Sequence, residues 1–197
     1  MSRPKLLLAT NNKAKVREYT RLLKGIPYRI VSLEDVGISE QVEETGASFE
    51  ENAVLKAKRY SELSGLITMA DDSGLEVDAL GGEPGVRSAR YAGEKASDEQ
   101  RIAFLLDKMT NIPWDKRNAR FRCVIAIARP GGKTRTCQGT CSGILTFAPL
   151  GDNGFGYDPI FYLPDLHRTM AELSMKEKNA LSHRGKAAAE ARKILRR

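Results

Sequence analysis

The run Thr10-Asn11-Asn12-Lys13-Ala14-Lys15 brings a hydroxyl, two amides and two ammonium groups together directly after the first apolar stretch of the chain. A loop at the carboxyl end of a strand that also opens a helix presents unpaired backbone N–H groups, so such a run can hold phosphate oxygens. The G-x-x-x-x-G-K-[ST] pattern of a P-loop is absent. Taken alone, the run reads better as a helix cap by Asn11 or Asn12 followed by solvated lysines. A second apolar run ends in Asp71-Asp72-Ser73-Gly74. Carboxylates at that place suit a hard divalent ion such as magnesium, which combines one or two of them with water and substrate phosphates. Glu43 and Glu44, in an acidic loop, are candidates for a second ligand. Successive side chains of an extended backbone point to opposite faces, so Asp71 and Asp72 take separate roles unless a turn intervenes. A plain turn, with Asp and Ser bonding local backbone, is the competing reading. Phe155 and Tyr157, interleaved with Gly154 and Gly156, could wall a planar base, or plug an ordinary loop. Asp158-Pro159 could equally be a turn, and Lys178, His183 and Arg184 could be no more than surface charges and a helix start.

The elements that must position these groups follow from periodicity and punctuation. Leu6 to Ala9 reads as a buried strand, and Val16 to Lys24 as a helix with Val16, Tyr19, Leu22 and Leu23 on one face, stopped by Gly25 and Pro27. Tyr28 to Leu33 reads as a second strand. Ser48 and Glu51 have capping-box spacing and open a helix that runs through Tyr60 to Leu63 and ends at Gly65. Leu66 to Ala70 forms a strand, Leu75 to Leu80 resumes an extended pattern, and Asp98 to Met109 is amphipathic. Phe121 to Ala128 and Thr134 to Phe147 form a hairpin about Pro130-Gly131-Gly132, with Gly139 or Gly143 marking a bulge. Ile160 to Leu163 is a strand, and two helices close the chain, one capped by Ser174 with Glu177, the next starting near Ser182-His183-Arg184. Hydrophobic strands mixed with helices and one clear hairpin predict an α/β protein with a mixed sheet.

Length and composition set the outer bounds. A chain of 197 residues can bury a full core, which favours one domain over residues 1–197. The hydrophobic share of 41% beside 29% charged residues is that of a water-soluble chain, and no apolar run approaches the ~18 residues that would span a bilayer. The N-terminus has no secretory or transit signature, so a cytoplasmic location and no membrane partner are expected. Cys123, Cys137 and Cys141, with two histidines, fit no standard zinc spacing and read as free thiols. The net charge of +7 favours anionic partners. Much of it sits between Ala171 and Arg197, where eight basic residues face three acidic ones.

Five blocks in order, LATNNKAKVREY (8–19), EETGASFEENAVLKA (43–57), ADDSGLEVDALGGEPGVRSARYAG (70–93), GFGYDPIF (154–161) and EKNALSHRGKA (177–187), together resemble the Ham1 family of inosine/xanthosine triphosphate pyrophosphatases. The resemblance spans nearly the whole chain. It implies an ITPase-like fold, an elongated mixed sheet flanked by helices with two lobes around a central cleft. It further implies magnesium-dependent hydrolysis of non-canonical purine nucleoside triphosphates to the monophosphate and pyrophosphate by a cytoplasmic homodimer, with no stable nucleic-acid partner. Carried onto matching positions, Thr10, Asn11, Asn12, Lys13, Ala14 and Lys15 would bind substrate, mainly its phosphates. Asp72 would be the metal-associated general base, Glu43 would help hold the metal, and Ser73 would touch substrate. Phe155, Gly156, Tyr157, Asp158, Lys178, His183 and Arg184 would serve base recognition. The family usually has T-G-N-x-x-K, and here Asn11 stands in place of that glycine. Two other readings remain: a Maf-like pyrophosphatase with a different base preference, and a non-catalytic nucleotide- or RNA-binding protein using the basic C-terminal segment.

Overall fold

The structure is a computed structural model that describes residues 3–196. Seven strands form one mixed sheet: β1 (Lys5–Leu8), β2 (Arg29–Ser32), β3 (Ile67–Val77), β4 (Asn118–Ala128), β5 (Arg135–Leu145), β6 (Phe161–Leu163) and β7 (Arg168–Thr169). Their order is β2-β1-β3-β4-β5-β6-β7. The helices are α1 (Lys13–Leu22), α2 (Phe49–Ser64), α3 (Asp98–Lys108), α4 (Met175–Leu181) and α5 (His183–Leu195). Among the described residues, no helix is long and apolar enough to cross a membrane.

Two compact units divide the chain. The first takes residues up to 72, 123–139 and those from 184 on. Here β1 pairs parallel with β2 on one side and β3 on the other, Leu7 lying opposite Val31 and Thr68. A strand enclosed in this way reads as an unbroken apolar run, which is why Leu6, Leu7 and Leu8 do not alternate with polar residues. Its core joins Leu6, Leu8, Tyr19, Leu23, Met69 and Ile125 with the alanine stripe Ala187, Ala188 and Ala191 of α5. The second unit takes residues 73–122 and 140–183. There β6 pairs antiparallel with both β5 and β7. Its own core gathers Leu75, Leu105, Met109, Phe121, Leu145 and Phe161.

Local signals place most helix ends. Ser48 Oγ accepts the Glu51 N–H and α2 stops at Gly65 with φ +66°, but Glu51 reaches back to the Ala47 N–H instead of closing a capping box. At α4 the box between Ser174 and Glu177 closes in full. Helix α1 begins earlier than its apolar face suggests, because Asn12 caps it by accepting from Ala14 and Lys15 N–H groups. Gly143 meets the need for close approach: a Cβ there would fall 2.5 Å from the Tyr162 carbonyl oxygen. The principal difference from local expectation is at Asp71-Asp72-Ser73-Gly74, which makes no turn. β3 runs straight through it to Val77, since partners from distant segments satisfy the two carboxylates and remove the need for local backbone bonds.

Candidate functional site

In the first unit the polar run after β1 is held from both ends. The Ala9 N–H donates to the Met69 carbonyl, and the Asn12 N–H donates to Thr10 Oγ1. Asn12 then uses its side-chain oxygen as the helix cap, leaving Asn11 and Lys13 exposed. Among the described residues the only non-glycine at positive φ is His167, so the backbone at Asn11 does not require glycine. Lys13, Ala14 and Lys15 make up the first turn of α1, whose positive dipole end attracts an anion.

Asp71 and Asp72, adjacent on β3, face different partners. Lys15 Nζ stands 2.9 Å from Asp71 Oδ2, and the Arg184 guanidinium is 3.8 Å from the same oxygen while pairing with Glu18 at 2.6 Å. Burial pushes the Asp71 carboxyl up, but Lys15, Arg184 and Lys56 together outweigh it and hold the group well below the usual carboxylate range. Asp72 meets α2 instead. Asn52 Nδ2 donates to Asp72 Oδ2 at 3.1 Å, and Asn52 Oδ1 accepts the Gly46 N–H at 2.7 Å. One turn along, Lys56 Nζ bonds Glu44 Oε1 at 2.6 Å and the Asp71 carbonyl at 2.7 Å, and lies 3.8 Å from Asp72 Oδ1. Burial and the neighbouring Glu44 carboxylate push Asp72 up to about 6, against the opposing pull of Lys56, Lys15 and Asn52. Two adjacent carboxyls thus differ in chemical character: one is held ionised by its cations, the other has a raised proton affinity.

The acidic loop is tied to Asp72 through Lys56, and the side chain that does so is Glu44. Glu43 is exposed on the same loop. Among the described residues, no three His, Cys, Asp or Glu side chains converge as a metal-binding group. The arrangement around Lys56 still fits a hard cation, because a cationic nitrogen already sits among oxygens of Glu44, Asp71 and Asp72.

In the second unit, the loop after Gly154 is a fixed structure. Asp158 Oδ2 accepts the Phe155 N–H at 2.9 Å and the Lys178 ammonium at 2.5 Å. A side chain at Gly154 would run into that same carboxylate. Lys178 Nζ also lies 4.7 Å from the centre of the Phe155 ring, a cation–π contact that orients the ring. The Gly156 N–H donates to Asp98 Oδ2 at 2.6 Å, and the Tyr157 hydroxyl donates to the Ser88 carbonyl at 3.0 Å. His183 is buried and stacks on Phe121, the centroids 4.7 Å apart and the planes 18° from parallel. Ser73 is half-buried on β3.

Comparison with known proteins fits this geometry. The model of the Ham1 family matches residues 6–194. The chain belongs to the Ham1 family. A dITP/XTP pyrophosphatase of Desulforamulus reducens is 51% identical over 193 residues, covering 98% of this chain and 96% of that protein. One from Bacillus subtilis is 45% identical and covers 96% of each chain. Among solved structures, a HAM1 protein from Coxiella burnetii superimposes with a TM-score of 0.89 at 40% identity, over 98% of both chains. The Staphylococcus aureus Ham1 protein gives 0.87 at 43% identity over 97% of each.

The structure of this Ham1 family chain brings in residues to which sequence reasoning assigned no role. Glu18, buried one turn beyond Lys15 on α1, fixes Arg184, so the guanidinium assigned from the sequence to base recognition lies in the first unit beside Asp71. Asn52 and Lys56 form an i, i+4 pair on α2 that links the acidic loop to Asp72. Their spacing on one helix face was a usable signal. Asp98, which anchors Gly156, carried none beyond being an acid in the first turn of a helix.

Proposed function

We propose that the protein hydrolyses non-canonical purine nucleoside triphosphates, dITP, ITP and XTP, to the nucleoside monophosphate and pyrophosphate, and so clears them from the nucleotide pool. The observation that carries this reading is Asp72, a buried carboxyl pushed up to about 6, bonded by Asn52 and with Lys56 close by, in a chain about half identical to dITP/XTP pyrophosphatases over nearly its full length. Thr10, Asn11, Asn12, Lys13, Ala14 and Lys15 take the phosphates, with Lys13 and the first-turn N–H groups of α1 meeting the negative charge that builds on the leaving pyrophosphate. Asp72 orients the attacking water and accepts its proton, a role that its raised proton affinity suits. Asn52 holds one Asp72 oxygen in place, and Asp71 pairs with Lys15 and so fixes the last residue of the phosphate-binding run.

Magnesium is the proposed metal; Asp72 and Glu43, with Glu44 on the same loop, would hold it together with the substrate phosphates. When bound it supplies charge neutralisation and Lewis-acid activation. Phe155 stacks on the base, Gly156, Tyr157, Asp158, Lys178 and His183 define its edge, and Ser73, next to Asp72, touches substrate, while Arg184, paired with Glu18, acts through the Asp71 carboxylate beside it. Donors directed at a 6-oxo group reward inosine and xanthosine, whereas a 6-amino group leaves those donors unpaired. The working form proposed is a cytoplasmic homodimer of single-domain subunits.

Incubation with ATP, GTP, ITP, dITP and XTP, with and without magnesium, tests the reading. Release of pyrophosphate from the three deaminated nucleotides, at least tenfold faster than from ATP, supports it. Release of orthophosphate, or equal rates on all five, sinks it.

A further inference from the structure

Helix α3 lies outside every residue block that drew the sequence toward a function, yet its first turn grips the aromatic loop. Ser97 caps the helix with a full capping box to Gln100, which fixes the backbone at the next residue, Asp98. The Asp98 carboxylate is used at both oxygens. Oδ2 accepts the Gly156 N–H at 2.6 Å, and Oδ1 is clasped by the Arg101 guanidinium. Arg101 donates from its other terminal nitrogen to the Ala89 carbonyl at 2.6 Å. The adjacent carbonyl, that of Ser88, accepts the Tyr157 hydroxyl at 3.0 Å. The hydrogen bonds therefore close a ring: Asp98 to the loop, Arg101 to residues 88–89, and Tyr157 back from the loop to the same residues.

Gly156 has φ +64° and open space where a Cβ would lie, so glycine is needed there for backbone conformation and not for room. That conformation turns its N–H toward Asp98. A charged acceptor bonded to a backbone N–H is among the stronger hydrogen bonds a loop can have. On the other side of the same peptide, Phe155 is held by Asp158 and Lys178. Asp158 and Asp98 thus pin consecutive amides, at 155 and 156.

We propose that Asp98 is a positioning residue for base selection: by holding the Gly156 amide it keeps the Phe155 ring and the Asp158 carboxylate in the one arrangement that reads a deaminated purine. Arg101 is the partner that aims the carboxylate. The inference rests on the reading that Phe155 to Asp158 contact the base.

The experiment compares Asp98→Ala, Asp98→Asn and Phe155→Ala, measuring kcat and KM for ITP and ATP, calorimetric binding of a non-hydrolysable ITP analogue, and thermal melting. Asp98→Ala is expected to raise KM and analogue Kd about tenfold and to cut the ITP-to-ATP preference by a similar factor, with kcat for ITP within about threefold. Asp98→Asn keeps an oxygen for the Gly156 N–H, so it should recover most of the preference. If Phe155→Ala loses preference and binding while Asp98→Ala keeps both, the Asp98 proposal fails and the base-side reading stands. Equal loss of kcat for both nucleotides in both Asp98 variants, in step with a fall in melting temperature, would mean a purely structural role and overturn it. If Phe155→Ala changes neither quantity, the base-side reading fails and the proposal goes with it.

Discussion

The first unit's carboxylate pair and the second unit's aromatic loop put buried charge to different uses. Around β3, charge sets chemistry: Asp71 and Asp72 are neighbours, yet Lys15 and Arg184 keep one ionised while burial and Glu44 raise the other to about 6. Around Phe155, charge sets shape. Asp158 and Asp98 each take a backbone N–H and a cation, and the product is a fixed ring and a fixed turn. The same side-chain type, buried at both Asp72 and Asp158, thus gains proton affinity where its neighbours are unbalanced and serves as a fastener where they are matched.

The contrast can be broken in order of expected effect. Asp72→Asn removes the base while keeping an oxygen and an amide in its place. Turnover should fall by about a thousandfold with melting temperature unchanged and nucleotide binding retained; a variant within tenfold of the parent would remove Asp72 from the mechanism. Asp71→Asn should do the reverse. It strips Lys15 of its counter-charge and leaves the buried Arg184 with Glu18 alone, which costs about 3 kcal/mol of stability in denaturant unfolding. A loss under about 0.5 kcal/mol would show that the pair is not a fastener. Lys178→Met, in the second unit, removes the partner of Asp158 and the cation over Phe155. KM for ITP should rise about tenfold while kcat holds, since the chemistry lies elsewhere. The smallest effect concerns pH. If Asp72 works deprotonated, as proposed, kcat/KM rises with pH on an acid limb that sits near its value of about 6 at low magnesium and moves lower as magnesium competes with the proton for the same carboxylate. An acid limb that Asp72→Asn leaves in place in its residual activity would assign the titration to another group.

Local chemistry made much of this readable. The strand of unbroken leucines, the Asn12 cap, Ser48 with Gly65, and the Ser174 box each declare an element through contacts within a few residues. The stretch Asp71 to Gly74 misleads for the same reason. Its residues have strong turn preferences, and nothing nearby reveals that Lys15, Asn52, Lys56 and Arg184 will come from three other segments to hold it extended. Alternation of faces along a strand did separate the roles of Asp71 and Asp72, because that rule needs only the backbone. Asp98 and Glu18 stayed hidden, each reading as an ordinary polar residue on a surface helix. Arg117 is a further case: a buried guanidinium that donates to the Met109, Leu145 and Thr146 carbonyls, from a position that looks like a charged loop end.

The opposite proton affinities of the two adjacent carboxyls, Asp71 and Asp72, can be measured directly. Carbon-13 NMR of the protein labelled at aspartate side-chain carboxyls, assigned with Asp71→Asn and Asp72→Asn and titrated from pH 3 to 8 without metal, should give one resonance moving with a midpoint near 6, from Asp72, and one that stays ionised, from Asp71. Both carboxyls titrating together near the ordinary aspartate value of about 3.9, or Asp71 taking up the proton first, would contradict it.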